Sequence, residues 1–155
     1  MRILVLTISD RAAAGEYEDL SGPAVERELR EALGEVEIDR SIVSDEVADI
    51  VEALAGVGEY DVVLTTGGTG LGPRDNAPEA TRRACDRAVP GIAEMLRRES
   101  LAETPNAALS RGTAGLSGRT LVVNLPGSVR GAAFCARALA PLLPHAAKMI
   151  EGKGH

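Results

Sequence analysis

Aromatic side chains are nearly missing from this chain: they make up 2% of 155 residues, and tryptophan is absent. Lysine is almost as scarce. Lys148 and Lys153 are the only two, so arginine supplies nearly all of the basic charge. With a formal net charge of −6, these shortages exclude the basic, ring-bearing surface that nucleic-acid binding uses. The two cysteines, Cys85 and Cys135, have no metal-type spacing, which points to a reduced, cytoplasmic protein. Both histidines, His145 and His155, fall near the C-terminus, which argues against a histidine-based triad or zinc site. No apolar run approaches the ~18 residues of a membrane span. The run Ile3–Ile8 is too short, and too soon followed by Ser9-Asp10-Arg11, for a secretory signal.

What the chain does have is the composition of one ordinary folded unit over residues 1–155, with 45% hydrophobic and 26% charged residues. Strand-like and helical patterns alternate along it. Ile3–Ile8 reads as a buried strand. Gly22-Pro23 opens a helix with Val25, Leu29 and Leu33 on one face and Gly34 at its end. Val36–Val43 alternates like a strand with one exposed face, and Ser44 is placed to cap a helix carrying Val47, Ile50, Val51 and Leu54. Asp61–Thr65 is a third strand; helices follow from about Pro78 and from Pro90-Gly91, and Leu121–Leu125 is a fourth strand. A last helix runs from Gly131 to Ile150, bent by Pro141 and Pro144. Such alternation predicts an α/β fold, a three-layer αβα sandwich on a mostly parallel sheet. Ligands of such sheets bind beyond the carboxyl ends of the strands. Ser9-Asp10-Arg11, Ser44-Asp45-Glu46, the 67–75 loop and Pro126-Gly127-Ser128 should therefore share one rim.

The most informative stretch is Thr65-Thr66-Gly67-Gly68-Thr69-Gly70-Leu71-Gly72-Pro73-Arg74-Asp75, between a strand and the helix opened by Pro78. Glycines let backbone N–H groups face an anion, and a helix N-terminus adds partial positive charge. Neither common phosphate template fits. The loop lacks the Gly-Lys-Ser/Thr ending of a P-loop, and a Gly-x-G-x-x-Gly frame started at Gly68 or Gly70 ends on Pro73 or Asp75. The same glycines could serve turn geometry alone.

Thr66-Gly67-Gly68-Thr69-Gly70 followed by Arg74-Asp75-x-x-Pro78-Glu79-Ala80-Thr81 resembles the signature of the molybdopterin-binding domain family, which includes bacterial molybdopterin adenylyltransferases and the G domain of gephyrin. Ser9-Asp10, Asp19-x-Ser21-Gly22, Leu109-Ser110-Arg111 with Gly115, and Asn124-Leu125-Pro126-Gly127-Ser128 resemble it in the same order, so the likeness spans nearly the whole chain. It implies transfer of AMP from Mg-ATP to the terminal phosphate of molybdopterin with release of pyrophosphate, in a homo-oligomer (a trimer), with a molybdate-insertion enzyme as a possible partner. The implied catalytic residues are Asp75 and Asp45, which would also hold Mg²⁺. The implied substrate contacts are Gly67, Gly68, Thr69 and Gly70, then Ser110 near the pterin and Arg111, then Pro126, Gly127 and Ser128, and Ser9, Asp10, Asp19, Ser21 and Gly22 near the start.

Plainer roles compete with several of these. Asp45 could simply favour the dipole of a helix whose first turn it occupies. Ser128 could cap a helix, and Asp19, Ser21 and Gly22 could merely start one. A non-catalytic pterin-binding or scaffold module on the same fold is the alternative function. One departure from the family pattern is Ala77, where threonine is usual before the proline. The loss of that cap is worth about 1 kcal/mol, and Asn76 is placed to replace the hydrogen bond.

Overall fold

In the computed structural model, which describes residues 1–153, six strands form one sheet in the order β2-β1-β3-β6-β5-β4. His155 lies outside the described residues. The strands are β1 (Arg2–Ile8), β2 (Glu37–Val43), β3 (Val62–Thr66), β4 (Arg87–Ala88), β5 (Ala114–Ser117) and β6 (Thr120–Leu125). Strands β2, β1, β3 and β6 are mutually parallel, while β5 runs antiparallel to both β6 and β4.

The helices are α1 (Asp10–Ala13), α2 (Ser21–Leu33), α3 (Val47–Ala55), α4 (Ala77–Ala84), α5 (Pro90–Ser100), α6 (Val129–Leu139) and α7 (Leu143–Ile150). Side chains alternate across a strand, so each central strand supplies two hydrophobic faces. Ile3 and Val5 of β1 join Val62, Leu64, Leu121 and Val123 in a core with Val25 and Leu29 of α2 and Ala132, Ala136 and Leu139 of α6. Leu4, Leu6 and Ile8 point the other way, with Val63 and Val122, against Ile50 and Leu54 of α3 and Ala77 and Ala80 of α4. Two helical layers thus sandwich the sheet, as the alternation predicted. The edge strand β2 exposes Asp39 and Arg40, charges that discourage further strand pairing.

The structure corrects the reading in four places. The last helix breaks, because a 3₁₀ turn at Ala140–Leu142 separates α6 from α7, where Pro141 and Pro144 interrupt the hydrogen-bond ladder. Helix α3 begins after Glu46, and Ser44 does not cap it. Instead its hydroxyl accepts from the N–H of Glu46 at 3.1 Å and donates to the Asp49 carboxylate. Asp45 therefore precedes the helix and is not part of its first turn. Finally, the antiparallel pair formed by β4 and β5, which α5 separates in sequence, was not anticipated. Since β5 runs against its neighbours, the segment entering it, Ser110–Thr113, reaches the same rim from which the parallel strands depart.

Candidate active site

The chain leaves β3 through a glycine turn that only glycine can make. Gly67 has φ +101°, and a Cβ there would fall 2.3 Å from the carbonyl oxygen of Ile8. The turn is secured from several sides. The N–H of Ala77, at the start of α4, donates to the Gly68 carbonyl at 3.0 Å, and the Arg111 N–H donates to the Thr69 carbonyl at 2.8 Å. Among the described residues, the N–H groups of Gly68, Thr69 and Gly70 have no acceptor. Beyond the turn, the Asp75 carboxylate folds back to accept the N–H of Gly72 at 2.7 Å. It lies so close that a Cβ on Gly70 would meet it at 2.9 Å.

Arg111 is a clamp on this loop. Its Nε donates to the Gly70 carbonyl at 2.7 Å, one terminal nitrogen donates to the Asp75 carbonyl, and both terminal nitrogens reach Glu79. That pairing holds the Glu79 carboxyl below the ordinary carboxylate range. The guanidinium is occupied by protein groups.

Two cavities open on either side of the loop. One, of about 310 Å³, is lined by Thr69, Gly70, Ser110, Pro126, Ser128 and Phe134, among others. The other, of about 230 Å³, is lined by Ser9, Asp19, Ser21, Thr66, Gly67 and Gly127, among others. The Pro126–Ser128 turn is a wall common to both, and the Thr66 hydroxyl fixes it by donating to the Pro126 carbonyl at 2.8 Å. Ser110 and the glycine loop, 40 residues apart in sequence, thus face one space.

The remaining residues expected at the site divide by role. Ser128 caps α6, accepting from the Gly131 N–H at 3.2 Å, and Ser9 caps α1, accepting from the Ala12 N–H at 3.2 Å. Asp19 serves the start of α2: its carboxylate accepts from the Thr7 hydroxyl at 2.8 Å, the Ser21 hydroxyl at 3.1 Å and the Gly22 N–H at 2.9 Å. Asp10 and Asp45 form a reciprocal clasp. The Asp10 N–H donates to the Asp45 carboxylate at 2.8 Å, and the Asp45 N–H donates to the Asp10 carboxylate at 2.9 Å. Arg74 then grips Asp10 through Nε at 3.0 Å and through a terminal nitrogen at 2.7 and 2.9 Å, and pairs with Glu46. The Asp45 N–H, then Arg74, hold the Asp10 carboxyl below the usual range. Burial pushes the Asp45 carboxyl above it, with the charges of Asp10 and Asp75 adding to the rise.

Asn76 occupies the N-cap position of α4, but its side chain caps nothing. Its amide instead donates to the Asp45 carbonyl at 3.0 Å. Ala77 is fully buried against the glycine turn, where its Cβ would lie 3.3 Å from a Cβ on Gly68.

Among the described residues no cluster of three histidines, cysteines or acids is poised for a metal. Asp45 and Asp75 offer donor atoms of the kind a hard cation takes. Each uses one carboxylate oxygen within the protein, and the other has no protein partner among the described residues. Two carboxylates suit Mg²⁺, which keeps waters or substrate oxygens in its remaining positions.

Asn124 opens the Asn124–Ser128 stretch of the family likeness, which gives it no role of its own. Its buried amide donates to the hydroxyls of Thr65 at 2.9 Å and Thr81 at 2.8 Å, and accepts from the Thr113 N–H at 3.1 Å. It ties β3, α4 and the Ser110–Thr113 segment together behind the site. A polar residue inside the apolar run Leu121–Leu125 was the available signal.

Comparison with known proteins bears on the same rim. The family model described as "Probable molybdopterin binding domain" matches residues 4–145. The chain is 42% identical to the molybdopterin adenylyltransferase of Helicobacter pylori over 98% of its own length and 89% of the relative's. It is 40% identical to the molybdenum cofactor synthesis protein cinnamon of Drosophila melanogaster, over 94% of this chain but 25% of that one. The crystal structure of the molybdopterin biosynthesis enzyme MoaB from Thermus thermophilus superposes with a TM-score of 0.87 at 46% identity, covering 98% of this chain and 97% of that one. The glycine loop, the acidic clasp and the paired cavities therefore sit on a chain that belongs to the molybdopterin-binding domain family.

Proposed function

We propose that this chain acts in molybdenum cofactor biosynthesis as a molybdopterin adenylyltransferase, joining the AMP of ATP to the terminal phosphate of molybdopterin and releasing pyrophosphate. The observation that carries the reading is the position of the glycine loop between two cavities, with Gly67 lining one and Thr69 and Gly70 the other. A reaction that joins two phosphorylated molecules needs both held with their phosphates at a common boundary. Most of such catalysis is alignment and neutralisation of charge.

In this reading the larger cavity, walled by Phe134 and Leu109 and edged by hydroxyls of Thr69, Ser110 and Ser128, takes the pterin. The smaller, with Tyr17, Asp19 and Ser21, takes the nucleoside. Phosphate oxygens accept from the N–H groups of Gly68, Thr69 and Gly70, close to the positive end of α4. The Pro126–Ser128 wall keeps the two substrates in register. Arg111 holds the shape of the loop by binding its carbonyls, so the loop is already formed before substrate arrives. Asp45 and Asp75 would hold Mg²⁺, which neutralises phosphate charge when bound.

The test is replacement of Asp75 by asparagine, which keeps the shape and removes the charge. With Mg-ATP and molybdopterin, pyrophosphate release should fall by about a hundredfold or more while ATP binding changes little. A variant that turns over like the wild type, or a well-folded wild-type protein that forms no adenylylated pterin, refutes the proposal.

A further inference from the structure

Asp75 is flanked by two residues whose side chains line neither cavity, and both reach the same distant segment. On one side Asn76 donates its amide to the Asp45 carbonyl at 3.0 Å. On the other, Arg74 grips both carboxylate oxygens of Asp10, and that carboxylate accepts the Asp45 N–H at 2.9 Å. Both backbone polar groups of Asp45 are therefore tied to the neighbours of Asp75, the carbonyl directly and the N–H through Asp10. Arg74 is fully engaged here, since Nε and both terminal nitrogens have carboxylate partners, which leaves it unsuited to be a phosphate ligand.

Without such ties the two acids would drift apart. Two charged carboxylates brought to one place repel one another. Asp10, whose charge Arg74 cancels, is withdrawn from the set of free acids. What remains is a pair of carboxylates, each with one oxygen unclaimed by protein groups among the described residues, on two segments that the cross-links join.

We propose that Arg74 and Asn76 are positioning residues that fix the separation of Asp45 and Asp75 for a divalent cation. The inference rests on the adenylyl-transfer reading above, and it gives Asn76, whose side chain caps nothing, a role in linking the two acid-bearing segments. Outer residues that orient metal-binding carboxylates typically change metal affinity by about 10- to 100-fold when removed.

The experiment measures Mn²⁺ binding to the nucleotide-free protein by electron paramagnetic resonance, and the Mg²⁺ dependence of pyrophosphate release. Asn76→Ala removes one tie. Arg74→Lys keeps the charge but loses the forked grip on Asp10. Leu139→Ala, in the core on the other face of the sheet, is a control that destabilises without touching the site. Each tie variant should weaken Mn²⁺ binding about tenfold and shift Mg²⁺ half-saturation to match, with Asn76→Ala recovering to within about twofold of wild-type turnover at saturating Mg²⁺. Leu139→Ala should lower the melting temperature and leave both metal readings unchanged. Tie variants that bind Mn²⁺ like the wild type overturn the inference alone, as does an equal shift in Leu139→Ala. Wild-type protein that binds no Mn²⁺ overturns the metal part of the proposed function, and the inference with it.

Discussion

Replacing Asn124 by leucine separates hydrogen bonding from volume at the back of the site. Leucine keeps the branched outline and leaves no cavity, so the loss is mainly polar. Asn124 is 5% exposed, and its three partners are the Thr65 and Thr81 hydroxyls and the Thr113 N–H. The two hydroxyls lose the donor they accept from, and the Thr113 N–H loses its acceptor. At roughly 1 kcal/mol for each bond lost, the variant should be destabilised by about 3 kcal/mol. For a chain of this length that is a fall in melting temperature of about 6–12 °C, readable by circular dichroism. The functional effect should be uneven. Thr113 is anchored beside Ser110, which lines the larger cavity and not the smaller. At 25 °C, where the variant remains folded, KM for molybdopterin should rise at least about tenfold while ATP binding stays within about twofold. A melting temperature within 2 °C of wild type, or equal losses for both substrates, would refute the reasoning.

Three further outcomes follow from the same geometry. Gly67→Ala should lower the melting temperature by about 10 °C or more or prevent folding, because the added methyl meets the Ile8 carbonyl and the backbone has φ +101°; solubility and thermal unfolding check it. Glu79, held below the ordinary carboxylate range by Arg111, contributes stability that is present above the unfolded carboxylate pKa of about 4.3 and is lost as pH falls through the lower folded value. Since the pair is partly exposed, denaturant titrations should show wild type more stable than Glu79→Gln by no more than about 1 kcal/mol at pH 7, with the difference vanishing in acid. Burial pushes the Cys85 thiol up to about 11, and Cys135 is likewise raised by burial. With about a thousandth of Cys85 ionised at pH 8, a disulfide reagent should label the native protein far more slowly than the unfolded chain.

The sheet and the glycine loop were legible because their signals are local. Apolar runs mark β1, β3 and β6, alternation marks β2, and glycines between Thr66 and Pro73 mark a turn. The antiparallel β4–β5 pair gave no such signal: β4 has two residues, and Ala114-Gly115-Leu116-Ser117 is short and contains no β-branched residue. Ser110 was reached only through its family likeness, since the rule that ligands sit beyond parallel strand ends does not predict a segment that enters an antiparallel one. Arg74 was legible as a cation beside Asp75, but its partner Asp10 lies 64 residues away, and no spacing in a single sequence reports such a pair. The roles of Asn124 and Asn76 were hidden for a related reason. A buried amide is identified by what it touches, and those contacts exist only after folding.

The reversal of β5 has a consequence for how this fold can diversify. The stretch from Leu101 to Leu109 approaches the rim from outside the sheet, and its short 3₁₀ turn, Pro105–Leu109, contributes no buried residue to either core. Yet Thr104, Asn106, Ala107 and Leu109 shape one side of the larger cavity. The shape of this cavity can therefore be altered by substitutions or length changes in a segment whose sequence the hydrophobic core does not constrain, while the glycine loop stays fixed by its clamps.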